Sequence, residues 1–132
     1  MEKMNQEFLF KLSMFEQQIQ QIQQQLQAVE EGISDMNMLN LSLDEIKKSV
    51  GKEALAPLGR GIFVETKILS DKLTVDVGGK NFVRKSVEET REIIDEQTKK
   101  LDKIKRELDE KLEEINENLT EAIMESQEQK DG

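Results

Sequence analysis

The 132-residue sequence has no cysteine, histidine, tryptophan or tyrosine, and one proline. Without cysteine or histidine there is no thiolate nucleophile, disulfide, imidazole acid–base group or His/Cys metal site. The remaining reactive groups are carboxylates and amines. Paired carboxylates such as Glu113 and Glu114 fall on a polar helix face, alongside i,i+4 partners such as Glu107 and Lys111. VGGKN lacks the spacing of a phosphate-wrapping GxxxxGK[ST] loop, and GRG lacks a third glycine before a helix. No catalytic residue, metal ion or cofactor is expected, and the chain does not read as an enzyme. No apolar run approaches the roughly 20 residues that span a bilayer. The start carries Glu2 and Glu7 and no cleavage-type small-residue site, so the expected location is cytoplasmic, with no membrane partner. An excess of basic charge is also missing: 19 Lys and Arg stand against 28 Asp and Glu, a formal charge of −9. That balance argues against a nucleic-acid partner, whose phosphates demand clustered cations.

What is present is charge and apolar residues in equal shares, 36% each, with only 4% aromatic. This is the composition of extended helices rather than of a single compact core. From Phe8 the apolar positions run Phe8, Leu12, Phe15, Ile19, Ile22, Leu26, Val29, Ile33 and Met36. The alternating steps of four and three mark a coiled-coil seam. Two steps of three, through Leu39, then predict a stammer before Leu43, Ile46 and Val50, and Gly51 ends the helix. A glutamine-rich stretch, Gln17 to Gln25, is punctuated in register by Ile19 and Ile22, which makes it the polar outside of the coil. A second helix starts at Ser86, with Glu89 completing a capping box. Its seam runs Val87, Ile94, Leu101, Ile104, Leu108, Leu112, Ile115, Leu119 and Ala122 or Ile123; the fours at Ile104, Leu108 and Leu112 predict a stutter.

Between the helices the period falls to two. Ile62, Val64, Thr66 and Ile68 line one face of a strand and Phe63, Glu65 and Lys67 the other, while Leu73, Val75 and Val77 repeat the pattern. PLGRG, LSDK and VGGKN supply turns. Four short strands are expected, near 54–57, 62–68, 73–77 and 82–85, with their pairing open and Pro57 at an edge or strand end. The expected divisions are an N-terminal coiled-coil helix over 1–51, a β oligomerisation region over 54–85, a C-terminal coiled-coil helix over 86–126 and a flexible tail over 127–132. The fold class is α+β, mainly α: a long antiparallel coiled-coil hairpin carrying a four-strand insert. A few short strands with one apolar face need cover from another copy or a related chain. The expected assembly residues are Leu55, Leu58, Ile62, Val64 and Ile68 in the first part of the insert, and Leu73, Val75, Val77, Phe82 and Val83 in the second.

FLFKLSMF, Phe8 to Phe15, places six apolar residues in eight positions and holds three of the five phenylalanines. Phe8, Leu12 and Phe15 belong to the seam and Leu9 to its border. Phe10 and Met14 project from the opposite side, and Met124 lies off the seam through Ile115 and Leu119. An antiparallel hairpin brings these residues together at its free end. The expected binding surface for apolar segments is therefore Phe8, Leu9, Phe10, Leu12, Met14 and Phe15 with Leu119, Ile123 and Met124, methionine supplying adaptability. A four-helix association or a further helix would also cover them. A passive coiled-coil spacer or filament protein, oligomerising through its strands, is the alternative reading; it has no need of Phe10 and Met14. Residues 47–85 carry nine Lys and Arg against four Asp and Glu, and residues 86–126 seven against fourteen, so a basic strand body contrasts with an acidic arm.

The blocks EALAPLGRGIFVETKI and LTVDVGGKNFVRKS, flanked by the two helices, resemble the α-type subunits of prefoldin, in the archaeal manner. Val75, Val77, Gly78, Gly79, Val83, Lys85 and Ser86 match the second of two strand motifs that separate α-type from β-type subunits, with Lys80 standing where a second glycine is common. The resemblance implies two β-hairpins that join an oligomeric β-barrel platform, in a hexamer of two α-type and four β-type subunits. It also implies an ATP-independent holdase whose coiled-coil tips bind unfolded proteins and deliver them to a group II chaperonin.

Overall fold

A computed structural model of the chain describes residues 2–131, with side chains from 6 to 128. Helix α1 spans Glu2–Lys48 and α2 spans Val87–Asp131. Between them lie β1 (Glu53–Gly59), β2 (Ile62–Lys67), β3 (Leu73–Asp76) and β4 (Phe82–Lys85). The chain divides into two units, Met1–Ile33 with Lys100–Gly132, and Ser34–Lys99.

In the first unit the helices run antiparallel. A Cβ on Gly32 would lie 3.2 Å from a Leu101 methyl, and Lys105 Nζ is 3.9 Å from Glu30 Oε1. The seam residues from Phe8 to Ile33 are buried or half-buried, with Ile22 the most enclosed. On α2, Leu101, Leu108, Leu112, Ile115, Leu119 and Ala122 are half-buried to match. Ile104 departs from expectation. It is exposed, while the half-buried residue is Lys105, so the steps from Leu101 through Lys105 and Leu108 to Leu112 alternate regularly and the stutter expected at Ile104 is absent. The long lysine stem can line the seam while its ammonium reaches the edge beside Glu30.

The second unit corrects the other irregularity. Leu39 is exposed, and Asn40 takes the inward position between Met36 and Leu43. The four-three alternation therefore runs one turn further, and the two steps of three fall at Asn40, Leu43 and Ile46, while Val50, expected in the seam, is exposed. A polar residue holds the register where only apolar residues were counted. The core here is Leu43, Val87 and Ile94, with Met36 and Leu73 packed against it. Thr90 is buried and Thr98 half-buried. Each hydroxyl donates to the carbonyl four residues back, Ser86 and Ile94 respectively, at 2.8 Å. A threonine so bonded keeps its hydroxyl satisfied while its methyl packs inward. These threonines fill the positions that make the first heptads of α2 look poor in apolar residues, and they place the consecutive four-residue steps at Thr90, Ile94 and Thr98.

Strands β1 and β2 pair antiparallel, Glu53 opposite Lys67 and Ala56 opposite Val64, with an irregularity between Pro57 and Gly59. Strands β3 and β4 pair antiparallel from Leu73–Lys85 to Asp76–Phe82. They form two separate two-stranded sheets. The VGGKN turn takes positive φ at Gly79 (59°) and at Lys80 (63°), so the lysine accepts a left-handed conformation that glycine would adopt freely.

Helix α1 ends at Lys48, three residues before the expected stop. Gly51, at φ 85°, then turns the chain so that its N–H donates to the Ile68 carbonyl at 2.7 Å. At the start of α2 the capping box is formed: Glu89 N–H donates to Ser86 Oγ at 3.0 Å, and Ser86 N–H donates to Glu89 Oε1 at 3.2 Å. Residues 127–131, expected as a tail outside the helix, continue α2.

Candidate functional site

Two sets of apolar side chains lie open, one in each unit. In the first unit, Phe8, Leu12 and Phe15 are half-buried in the seam, as is Leu119. Phe10 (68% exposed), Met14 (46%) and Met124 (60%) are open, together with Leu9 and Ile123. The i,i+4 spacing of Phe10 and Met14 puts them one turn apart on the same side of α1. Beside Met14 and Phe15 runs an open groove of about 310 Å³, lined also by Lys11, Gln18, Asn118, Glu121, Ala122 and Glu125. The site is thus an apolar surface bordered by two carboxylates, two amides and one lysine. What it can do chemically is exchange water for another apolar surface.

In the second unit, Leu55, Leu58, Ile62, Val64, Val77, Phe82 and Val83 are exposed, while Ile68 and Val75 are half-buried. Leu73 packs against the core of its own unit. The β1–β2 register puts Ala54, Ala56, Val64 and Thr66 on one face of that hairpin and Leu55, Pro57 and Phe63 on the other. Both faces therefore carry apolar residues, the pattern of strands covered on both sides.

Ionisable groups near the hairpins play structural parts. The Glu88 carboxyl is held below its ordinary range chiefly by the hydrogen bond from Lys47, its ion-pair partner. Glu89 is lowered by the Ser86 backbone N–H first and the Ser86 side chain second. Asp44 accepts from Arg91 at 2.5 Å. All three carboxylates tie the two helices or their caps together.

The Prefoldin family model, described as prefoldin subunit, matches residues 15–131. The chain belongs to the prefoldin family. Its curated relatives identify it as an α-type subunit. It is 30% identical to the prefoldin subunit alpha of Methanosphaera stadtmanae over 63% of this chain and 60% of that protein. It is 32% identical to that of Methanobrevibacter smithii over 74% of this chain and 67% of that protein. The matches thus span some three-fifths to two-thirds of these relatives' length. In fold the subunit is similar to filamentous PFD from Methanocaldococcus jannaschii, solved by cryo-EM, with a TM-score of 0.77, 24% identity, and 87% of this chain and 97% of that chain covered.

Sequence periodicity overlooked several residues of this prefoldin subunit. Asn40, Thr90, Thr98 and Lys105 occupy inward positions without being apolar, and no count of hydrophobes finds them. Met38 and Leu41 are open on α1. MNMLNLSL, Met36 to Leu43, is apolar around more than one side of the helix, and that breadth is the signal that could have revealed them.

Proposed function

We propose that this prefoldin subunit is part of an ATP-independent chaperone that holds unfolded proteins against the open apolar side chains of its paired helix ends. The observation that carries this reading is the exposure of Phe10, Met14 and Met124, on helices whose seam residues from Phe8 to Ile33 and from Leu108 to Leu119 are buried or half-buried. Burying three such side chains against a client is worth roughly 4–8 kcal/mol before ordering costs. One arm alone then binds on the order of millimolar or more weakly. Several arms on one platform raise avidity by roughly 10² to 10⁴ while each contact still releases quickly. Weak, multiple contacts suit holding and handover without nucleotide chemistry, and the chain acts as a chaperone component rather than an enzyme.

The α-type identity supports β-type prefoldin subunits as partners, two α with four β. The open strands are the surfaces through which they join, and a group II chaperonin is the acceptor of the client. No described helix is long and apolar enough to cross a membrane, and cytoplasmic work fits such a role. A second reading has the filamentous relative in its favour: self-association through the strands into a fibre or spacer.

The test is the triple substitution Phe10→Ser, Met14→Ser and Met124→Ser in the complex reconstituted with β-type subunits. Its expected result is an unchanged native mass and a loss of most suppression of aggregation of a diluted, denatured client. Full suppression by the variant would overturn the gripping role and favour the scaffold reading.

A further inference from the structure

Methionine is the one residue type of this chain open to ready two-electron oxidation, because cysteine, histidine, tryptophan and tyrosine are all absent. Six methionines carry that chemistry. Among those whose side chains are described, Met36 is half-buried against the core of the second unit. Met14 (46%), Met38 (65%) and Met124 (60%) are exposed. Susceptibility follows exposure, so a peroxide reaches these three first. Two of them, Met14 and Met124, are also two of the three side chains that carry the proposed grip.

Their position decides what oxidation does. A thioether serves an apolar surface as an adaptable, polarizable contact. Its sulfoxide is polar and chiral, and it holds water that a bound client would have to displace. Around Met14 the oxidised form also has donors at hand. Lys11 and Gln18 stand three residues before it and four after it on α1, and with Asn118 of α2 they line the groove that Met14 borders. Ammonium and amide N–H groups donate to a sulfoxide oxygen, whereas a thioether sulfur accepts only weakly. These neighbours therefore favour the oxidised side chain over the reduced one.

We infer that Met14 and Met124 form a modification site, at which conversion of the thioethers to sulfoxides by a peroxide releases the client and reduction restores the grip. The inference rests on the gripping role proposed above. In the forward step a sulfur lone pair attacks one peroxide oxygen. An S–O bond forms and the O–O bond breaks; the departing oxygen takes a proton and leaves as water, or as an alcohol from an alkyl peroxide. Sulfur gives up two electrons and the peroxide gains them. In the reverse step a dithiol reductase removes the oxygen as water while its two thiols become a disulfide. The chain, having no cysteine, depends on such a reductase, and the exposure of both residues gives it access. Each thioether converted should weaken an arm's hold on an apolar segment roughly tenfold.

The test treats the full-length chain briefly with hydrogen peroxide, removes the oxidant and assembles the chain with untreated β-type subunits. Peptide mass mapping should find one added oxygen at Met14 and at Met124 well before Met36. The complex should keep its native mass and lose most suppression of client aggregation. Treating the oxidised chain with methionine sulfoxide reductases for both sulfur epimers before assembly should restore it. Met14→Leu with Met124→Leu keeps an apolar grip and the four other methionines, and should hold client equally with and without peroxide; Met38→Leu should respond as the unsubstituted chain does. Oxidation of Met14 and Met124 no faster than that of Met36 would overturn the inference, as would full suppression by the oxidised complex or an equal loss in the double-leucine variant. The two readings fail separately. Full suppression by the Phe10, Met14 and Met124 serine variant removes the grip itself, whereas loss in that variant beside full suppression by the oxidised complex removes only its control by oxidation.

Discussion

Asn40 shows how one side chain can serve specificity against stability. Its Oδ1 is buried without a hydrogen-bond partner among the described residues, in a helix seam whose neighbours Met36 and Leu43 are apolar. A buried acceptor left unsatisfied is destabilising by about 1–3 kcal/mol, and a lone seam asparagine is a known way to fix helix register. Replacing it, Asn40→Leu, should raise the denaturant midpoint of the full chain by the equivalent of about 1–2 kcal/mol while loosening the pairing register. Equilibrium unfolding checks the first effect and cysteine pairing across the helices the second. A lower midpoint would mean that the amide has a partner in solution. At the other set of exposed residues the expectation is graded. Phe10→Ser alone removes about 1.5–3 kcal/mol of transferable apolar burial, so each arm's affinity for an unfolded segment falls roughly tenfold to hundredfold.

At the scale of elements, α2 is begun by chemistry that titrates. Ser86→Ala removes the side-chain half of the cap and should destabilise the second unit by about 0.5–2 kcal/mol, read as a drop in thermal midpoint. The Glu89 carboxyl, hydrogen-bonded by Ser86, has a folded-state pKa below its ordinary 4.5. A depressed carboxylate contributes stability that is fully present above the ordinary value and is lost as pH falls through the lowered one. Stability should therefore decline on acidification below about 4.5, and Glu89→Gln should flatten that decline; an unaltered pH profile in Glu89→Gln would assign the loss to other groups. Both helices, the four strands and the capping box were legible in the sequence, because they rest on period, turn residues and a local S-x-x-E pattern. The register within the seams was not. Leu39 and Ile104 have the right hydrophobicity and the wrong angle, whereas Asn40 and Lys105 have the reverse, and packing decides by angle. Strand pairing was also illegible from alternation alone, since any two of the four strands satisfy it. The exposure of Phe10 and Met14 followed from their angle to the seam. Met38 and Leu41 lie outside the stripe that the seam periodicity defines.

At the scale of the whole molecule, a prefoldin subunit of this kind leaves too much apolar surface open to be complete alone. Leu55, Leu58, Ile62, Phe63, Val64, Phe82 and Val83 are all exposed in the single chain. Mixing the chain with β-type prefoldin subunits should yield, by native mass measurement, a species of two α and four β chains. A stable monomer in the mixture would contradict the role assigned to the strands. The decisive question is what touches the side chains at the paired helix ends when a client is present. A photo-cross-linking phenylalanine analogue placed at position 10 of the assembled complex, mixed with a chemically unfolded client and illuminated, answers it directly. Adducts between position 10 and the client, suppressed when the client is allowed to fold first, are the expected result. An unadducted client, with position 10 cross-linked only to neighbouring subunits, would contradict the account.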